Sequence, residues 1–241
     1  SIESLPFDAT VNGDAGDDTL TLAPAGKNVG SITGSVRFNG GADKDAQNVK
    51  AWWALGAGFL EVGTITPKPQ PGNPPPVVDR DVSRFALWNR LGFPSQGVTK
   101  VKRRLAALEK PHRTPVFANI GKNATTSLDD AHKDYILLLK ELETLVDGFV
   151  INISSPNTKG LRELLKPERL RGFLQPILAE RGSKPVLLKL SPDLEPHELS
   201  AVLDISFELK IDGWVLTNTS QGLRDGLKFP EEGGVSGLPL N

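Results

Sequence analysis

The sequence contains no cysteine. That excludes a disulfide framework, a thiolate metal site and a cysteine nucleophile. It leaves the compartment open, because cytosolic and secreted chains alike can lack the residue. Methionine is absent too, and the chain opens on Ser1. The sequence therefore reads as a processed, engineered or excised piece. No apolar run approaches the roughly 20 residues needed to cross a bilayer, and no charged-then-apolar opening resembles a signal peptide. An excess of either charge is also missing: Lys plus Arg is 28, Asp plus Glu is 29, and the formal charge is -1. A dedicated nucleic-acid binder needs a basic face to meet phosphates, so the balance argues against one.

The remaining composition fits a soluble globular chain: 38% apolar and 24% charged residues. A length of 241 residues allows one large domain or two small ones around a sizeable core. Two unlike segments are visible. Residues 1–37 hold one aromatic residue, Phe7, and five acids against two bases. Thr19, Leu20, Thr21 and Leu22 alternate polar and apolar as a half-buried strand does, and residues 29–38 also read as strand. This segment is expected to be β-rich and foreign to the rest of the chain.

From residue 38 the grammar changes. Short apolar, β-rich runs at 59–64, 116–120, 149–153, 186–190 and 214–218 alternate with helical patterns. Ser127 resembles a helix N-cap with Asp130 three residues on. Leu138, Leu142 and Leu145 then keep helical spacing, as do Leu170, Phe173, Ile177 and Leu178, and again Leu199, Val202, Leu203 and Phe207. Apolar strands alternating with helices imply a parallel α/β sheet covered on both faces. Each strand run ends in polar residues: Thr64, Asn119, Asn152 with Ser154 and Ser155, Lys189 with Ser191, and Thr217 with Asn218. Such residues either satisfy strand-end backbone groups or, as in a (β/α) barrel, gather into an active site at the C-terminal strand ends. Their recurrence on five strands favours the site.

Other features are ambiguous or plain. The Pro-rich stretch at 67–76 reads equally as a mobile loop or a stiff connector. His112, His132 and His197 lack ligand spacing and are expected to be exposed; no metal site is read. Residues 234–238 nearly form a nucleophile elbow but lack its last glycine. Gly13 to Leu20 fits the calcium-binding β-roll nonapeptide except at Asp14, and Gly40 to Asp45 fits more loosely. A roll needs several stacked repeats, so a Gly/Asp turn between strands is the plainer reading.

The most specific stretch is Ile151-Asn152-Ile153-Ser154-Ser155-Pro156-Asn157-Thr158. It resembles the NISSPNT signature of the dihydroorotate dehydrogenases, in the Ser-Ser form of the quinone-linked branch. The segments 61–70, Asn89-Arg90-Leu91-Gly92-Phe93, Asn119-Ile120-Gly121-Lys122-Asn123, 189–194, Thr217-Asn218-Thr219 and 233–237 resemble further family motifs in the same order. The resemblance covers residues 40–241. It implies a (β/α)8 TIM-barrel type fold, incomplete at about six of eight strands, as the domain at 38–241.

The resemblance also implies a function: oxidation of dihydroorotate to orotate with flavin mononucleotide (FMN), reoxidised by a quinone, in pyrimidine biosynthesis. Ser155 matches the base that takes a ring-carbon proton while a hydride leaves the next carbon. Lys44, Asn89, Arg90, Leu91, Gly92, Phe93, Asn152, Asn157, Asn218 and Thr219 match substrate-binding positions. Carboxamides pair a donor with an acceptor, which suits the amide and carboxylate edges of a planar substrate. Gly40, Gly41, Ala42, Lys44, Thr64, Asn119, Asn152, Lys189, Thr217 and Gly237 match flavin-binding positions. Lys189 interrupts an apolar run, which argues against a solvated surface role, and Gly237 lets backbone approach the cofactor.

Departures from the family pattern set further expectations. The family's amino-terminal helices, which give peripheral membrane contact and the quinone entrance, have no counterpart here. The last two strand–helix units, expected to hold the flavin phosphate at a helix N-terminus, lie past Asn241. A join of unrelated sequences is expected between Phe38 and Ala42, where the two resemblances meet. Two other readings stand beside the enzyme: a catalytically silent fragment, and a calcium-binding or adhesive β-roll module fused to an enzyme relic.

Overall fold

The computed structural model of the chain describes residues 45–54 and 57–240. The segment at 1–37, expected to be β-rich, the glycine-aspartate motifs and the candidate residues Gly40, Gly41, Ala42 and Lys44 lie outside the described residues.

Five parallel strands form one sheet: β1 (Leu60–Ile65), β4 (Val116–Ile120), β5 (Gly148–Asn152), β6 (Val186–Lys189) and β7 (Gly213–Val215). They lie side by side in the order β1-β4-β5-β6-β7. All five expected runs are therefore strands of this sheet. β1 and β5 are buried at every residue, as strands covered on both faces must be. Gly148 makes one close approach possible: a Cβ there would stand 2.2 Å from the Phe117 ring of β4.

The helices α2 (Val98–Ala106), α3 (Ala131–Leu142), α4 (Pro167–Ala179) and α5 (Pro196–Glu208) follow these strands, after a short α1 (Val49–Ala54). α2, α3 and α4 each bury an apolar stripe at helical spacing. On α3 it is Ala131, Tyr135, Leu138, Leu139 and Leu142; on α4 it is Leu170, Phe173, Leu174 and Ile177. Pro196 opens α5, where Glu195 and Glu198 form a reciprocal capping box. The stripes and the two-sided strands enclose one apolar core. The architecture is that of an incomplete TIM-type barrel.

A second sheet joins β2 (Val78–Asp81), β3 (Ala86–Asn89) and β8 (Gly234–Gly237) in antiparallel order. The residue pattern carries no hint of it, because β2 reads Val-Asp-Arg-Asp and its residues are half-buried or exposed. β2 pairs with β3, and β8, far along the chain, pairs with the other edge of β3.

Four expectations need correction or choice. Asp130, not Ser127, is the N-cap of α3; the Ser127 hydroxyl accepts from the Asp130 N–H at 3.1 Å, forming a turn ahead of the helix. On α5 only Val202 of the predicted apolar stripe is fully buried, whereas Phe207 is 65% exposed and meets Trp214 edge-on at 5.0 Å between ring centroids. The His112 side chain is buried rather than exposed, beside Trp53, with Nδ1 2.7 Å from Asp147. The Pro-rich stretch is a pinned connector. Gln70 pairs by backbone with Ser95 and its side chain donates to the Phe93 carbonyl, while Asn73 donates to the carbonyls of Arg90 and Asn157.

Candidate active site

The polar strand ends converge. Thr64 of β1, Asn119 of β4 and Asn152 of β5 are joined side chain to side chain. Asn152 Nδ2 donates to Thr64 Oγ1 at 3.0 Å and to Asn119 Oδ1 at 3.2 Å, and Thr64 Oγ1 donates to Asn119 Oδ1 at 2.7 Å. Asn119 Nδ2 in turn donates to Glu61 Oε1 at 2.7 Å. These bonds fix the amide orientations in a buried setting. Below them, Tyr135 of α3 donates its hydroxyl to the Asn152 carbonyl at 2.9 Å. Full burial pushes the Tyr135 phenol far above its ordinary pKa, so it stays a donor.

Gly63 is required where these strands meet. Its φ is +125°, and a Cβ there would stand 2.3 Å from the Asn119 carbonyl oxygen. Lys189 at the end of β6 is buried, with Nζ 4.0 Å from the equally buried Glu61 Oε1. Glu61 was not singled out from the sequence, although a charge inside an apolar strand run was the available signal.

A cleft opens above this floor, with about 430 Å³ of empty space that includes open solvent. Thr64, Asn152, Ser155, Asn157, Lys189 and Asn218 line it from the strand ends, and Asn89, Leu91, Gly92 and Phe93 line it from the end of β3 and the segment after it. Ser155 is 4% exposed, and its Oγ accepts from the Asn157 N–H at 3.2 Å. Asn157 Nδ2 donates to Asn89 Oδ1 at 2.8 Å. Its own Oδ1 is buried and has no hydrogen-bond partner in the protein, and the same holds for Thr158 Oγ1. Asn157 lines the cleft, so its open acceptor is available to a ligand donor there.

Several predicted residues stand elsewhere. Arg90 turns away from the cleft and donates to Glu232 at 2.5 Å and to the Pro74 carbonyl. Arg90 follows the last residue of β3, and its side chain lies outside the cleft lining that Asn89 joins. Thr219 is buried with Oγ1 against Gly234, where a Cβ would stand 1.8 Å away. Thr217 is half-buried and spends its hydroxyl on the Asn218 carbonyl. Gly237, with φ +87°, is explained by the second sheet: a Cβ would stand 2.2 Å from the Phe85 carbonyl oxygen.

Lys122, from another of the motifs, is a structural cation. It donates to the carbonyls of Asn123 and Thr126. Burial lowers its pKa, with Asp134 opposing. Among the described residues no group of three or more His, Asp or Glu side chains is placed to hold a metal, and no helix is long and apolar enough to cross a membrane.

Alternating parallel strands and helices with a polar cleft at the C-terminal strand ends define an α/β barrel-type scaffold. Comparison with known proteins narrows this. The family model described as dihydroorotate dehydrogenase matches residues 31–241. A protein named dihydroorotate dehydrogenase (quinone) from Thermus thermophilus is 46% identical over 207 residues, which are 83% of this chain and 58% of that one. Its namesake from Acidithiobacillus ferrooxidans is 44% identical, over 85% of this chain and 60% of that one. The solved structure of a ligand-free DHODH from Eimeria tenella superposes with a TM-score of 0.74 at 35% identity, over 82% of this chain and 62% of that one. The chain belongs to the dihydroorotate dehydrogenase family. It spans about 58% of the length of the Thermus relative.

Proposed function

We propose that the cleft takes dihydroorotate and oxidises it to orotate, with FMN as hydride acceptor and a quinone as the final oxidant. The relatives named above are quinone-type dihydroorotate dehydrogenases. The observation that carries the reading is that Ser155, Asn89, Asn157, Asn218 and Lys189, drawn from four separate strand ends, line one cleft.

The residues fit the cofactor. A flat heterocycle needs amide donors and acceptors at its edge, a cation near its electron-rich side and backbone that can come close. Asn152 presents the first at the cleft wall, joined by the Thr64 hydroxyl and oriented by Asn119 behind them, with Lys189 the second and Gly63 the third. The family resemblance assigns Thr217, Gly237, Gly40, Gly41, Ala42 and Lys44 to the flavin as well; Thr217 and Gly237 are not in the cleft lining, and the other four lie outside the described residues. When bound, the flavin supplies a two-electron acceptor.

The protein's own groups do the rest. Asn89 and Asn157 hold one another at 2.8 Å and leave Asn157 Oδ1 open for a ring N–H of the substrate. Asn218 and Asn152 face it from the other side, with Thr219 supporting the turn. The backbone of Leu91, Gly92 and Phe93 closes the rim. Ser155 accepts the proton from the ring carbon next to the one that loses hydride. A serine hydroxyl is a weak base, so it passes its own proton on to an ordered neighbour or to water. Asn157 N–H holds the Ser155 oxygen in place. Reoxidation by a quinone implies peripheral contact with a membrane, where quinones reside.

The test is the visible spectrum of the purified chain supplied with FMN. A bound yellow flavin, bleached anaerobically by dihydroorotate, is the expected result. A protein that takes up no flavin overturns the reading. It would favour the silent-fragment alternative, which the exposed Phe207, Leu216 and Leu238 around β7 and β8 support.

A further inference from the structure

We propose that Arg162 is a positioning residue for this site: its guanidinium ties the segment carrying Ser155 to the segment carrying Asn218 and Thr219, and so sets how the two sides of the cleft face each other. The inference rests on the functional reading above, which places Ser155 and Asn218 on the substrate.

Arg162 lies in the short 3-10 turn Leu161–Leu165, which enters through Gly160 at φ +67°. Its side chain is mostly buried, at 19% exposure. The planar fork is used in three directions. Nε donates to the Ser154 carbonyl at 2.8 Å, one residue before Ser155. One terminal nitrogen donates to the Thr219 carbonyl at 2.8 Å, one residue after Asn218. The other donates to Asp193 Oδ2 at 2.6 Å and to Gln221 Oε1 at 3.2 Å. Ser154 belongs to the segment after β5, Asp193 to the one after β6, and Thr219 and Gln221 to the one after β7.

The sheet itself cannot supply this connection. β6 separates β5 from β7, so no backbone ladder runs between Ser154 and Thr219. Among the described residues, the other direct side-chain ties between these two sides come from Asn218 Nδ2, to Ser154 Oγ at 3.1 Å and to Asn152 Oδ1 at 3.5 Å, and they use a group that faces substrate. Asp193 is held as firmly as the arginine. Its Oδ1 accepts from Ser220 Oγ, its Oδ2 from the Gln221 N–H, and its own N–H donates to Ser191 Oγ. The counter-charge is therefore fixed independently of the guanidinium. Isolated ion pairs near the surface do little. Here two of the bonds go to backbone carbonyls flanking the residues that matter, and a lysine has no fork to reach both carbonyls and the carboxylate together.

The test is hydrogen exchange on the full chain, with orotate affinity measured by calorimetry in the presence of FMN. In Arg162→Gln, amides at 154–160 and 217–222 are expected to exchange about tenfold faster, while β4 and β5 keep their protection and orotate binds about tenfold more weakly. Arg162→Lys should recover less than half of either change on a logarithmic scale. Arg171→Gln, which breaks only the exposed pair with Glu208, should leave both readouts at the wild-type value. Should Arg162→Gln fail to fold, Asp193→Asn keeps the arginine, weakens its anchor and should give the same pattern at smaller amplitude. Unchanged exchange in both segments overturns the clamp. Faster exchange with wild-type orotate affinity overturns the positioning role. A wild-type chain that binds no orotate overturns the functional reading instead, and the exchange measurement still decides whether Arg162 couples the two segments.

Discussion

Asn157 donates its side-chain amide to Asn89 Oδ1 at 2.8 Å, across 68 residues of sequence. The bond joins the segment after β5 to the end of β3, and so joins the parallel sheet to the small antiparallel one. It leaves Asn157 with an open, buried acceptor beside the cleft. Orotate affinity should therefore fall about tenfold in Asn157→Ala and in Asn89→Ala, since each removes a hydrogen bond of roughly 1–1.5 kcal/mol. The double variant should show a coupling of about 0.5 kcal/mol or more by calorimetry, because the two amides orient each other. Strictly additive losses would contradict the pairing.

Ser155→Ala removes the proton acceptor and little else. Turnover should drop by roughly 10²- to 10⁴-fold, the usual worth of general base catalysis. Bound flavin should stay unchanged and orotate affinity should stay within about threefold. Rapid-mixing spectroscopy of flavin bleaching isolates the step. Loss of flavin with a normal chemical rate would remove Ser155 from its role.

Lys189 and Glu61 are both buried, with Nζ 4.0 Å from Oε1. Lys189→Ala removes a buried cation that stands 4.0 Å from the Glu61 carboxylate, which should cost about 3–5 kcal/mol in urea unfolding. Adding Glu61→Gln should return part of that stability while flavin affinity stays low. A single Lys189→Ala variant as stable as wild type would show that the pair is not coupled.

Two glycines make opposite predictions. Gly63→Ala forces a Cβ to 2.3 Å from a backbone oxygen at φ +125°, so it should lose at least about 2 kcal/mol. Gly172 lies within α4, and a Cβ there meets nothing within 4 Å. Gly172→Ala should gain about 0.5–1 kcal/mol from reduced backbone freedom in the unfolded chain. Thermal melts of the two variants decide both.

The Asp193 carboxyl gives an acid-side prediction. Burial pushes its pKa up, but Ser220, the Gln221 N–H and Arg162 together hold it below the ordinary 3.8. A depressed carboxyl stabilises the fold above its unfolded value and loses that contribution as pH falls through its folded value. Stability should thus decline below about pH 4. Asp193→Asn should flatten that part of the urea-midpoint profile and leave the neutral region parallel to wild type. An unaltered acid limb would mean Asp193 carries no linkage.

Much of the scaffold was legible in the primary structure. Strands covered on both faces must be apolar throughout, and their helices must carry apolar residues every three or four positions, so five runs and their spacing announced β1, β4, β5, β6 and β7. Polar residues at the ends of those runs, and Lys189 inside one, pointed to the cleft for the same reason: a polar group in a buried strand needs a partner or a ligand. The NISSPNT stretch added the family.

Other features were decided only by folding. β2 carries no strand pattern and exists because it pairs with β3, whose other edge is paired by β8. His112 looked like a surface residue until α1 and the turn before β5 brought Trp53 and Asp147 against it. Arg90 and Asn89 are neighbours in a motif, yet one reaches Glu232 and the other the cleft. The ties from Asn157 to Asn89 and from Arg162 to Ser154, Asp193 and Thr219 span 68, 8, 31 and 57 residues. Local sequence determines which backbone conformation and which face a residue takes, because those follow from its own sterics and its near neighbours. Which distant groups then share a hydrogen bond depends on sheet order and crossover packing, and only the folded three-dimensional arrangement contains that information.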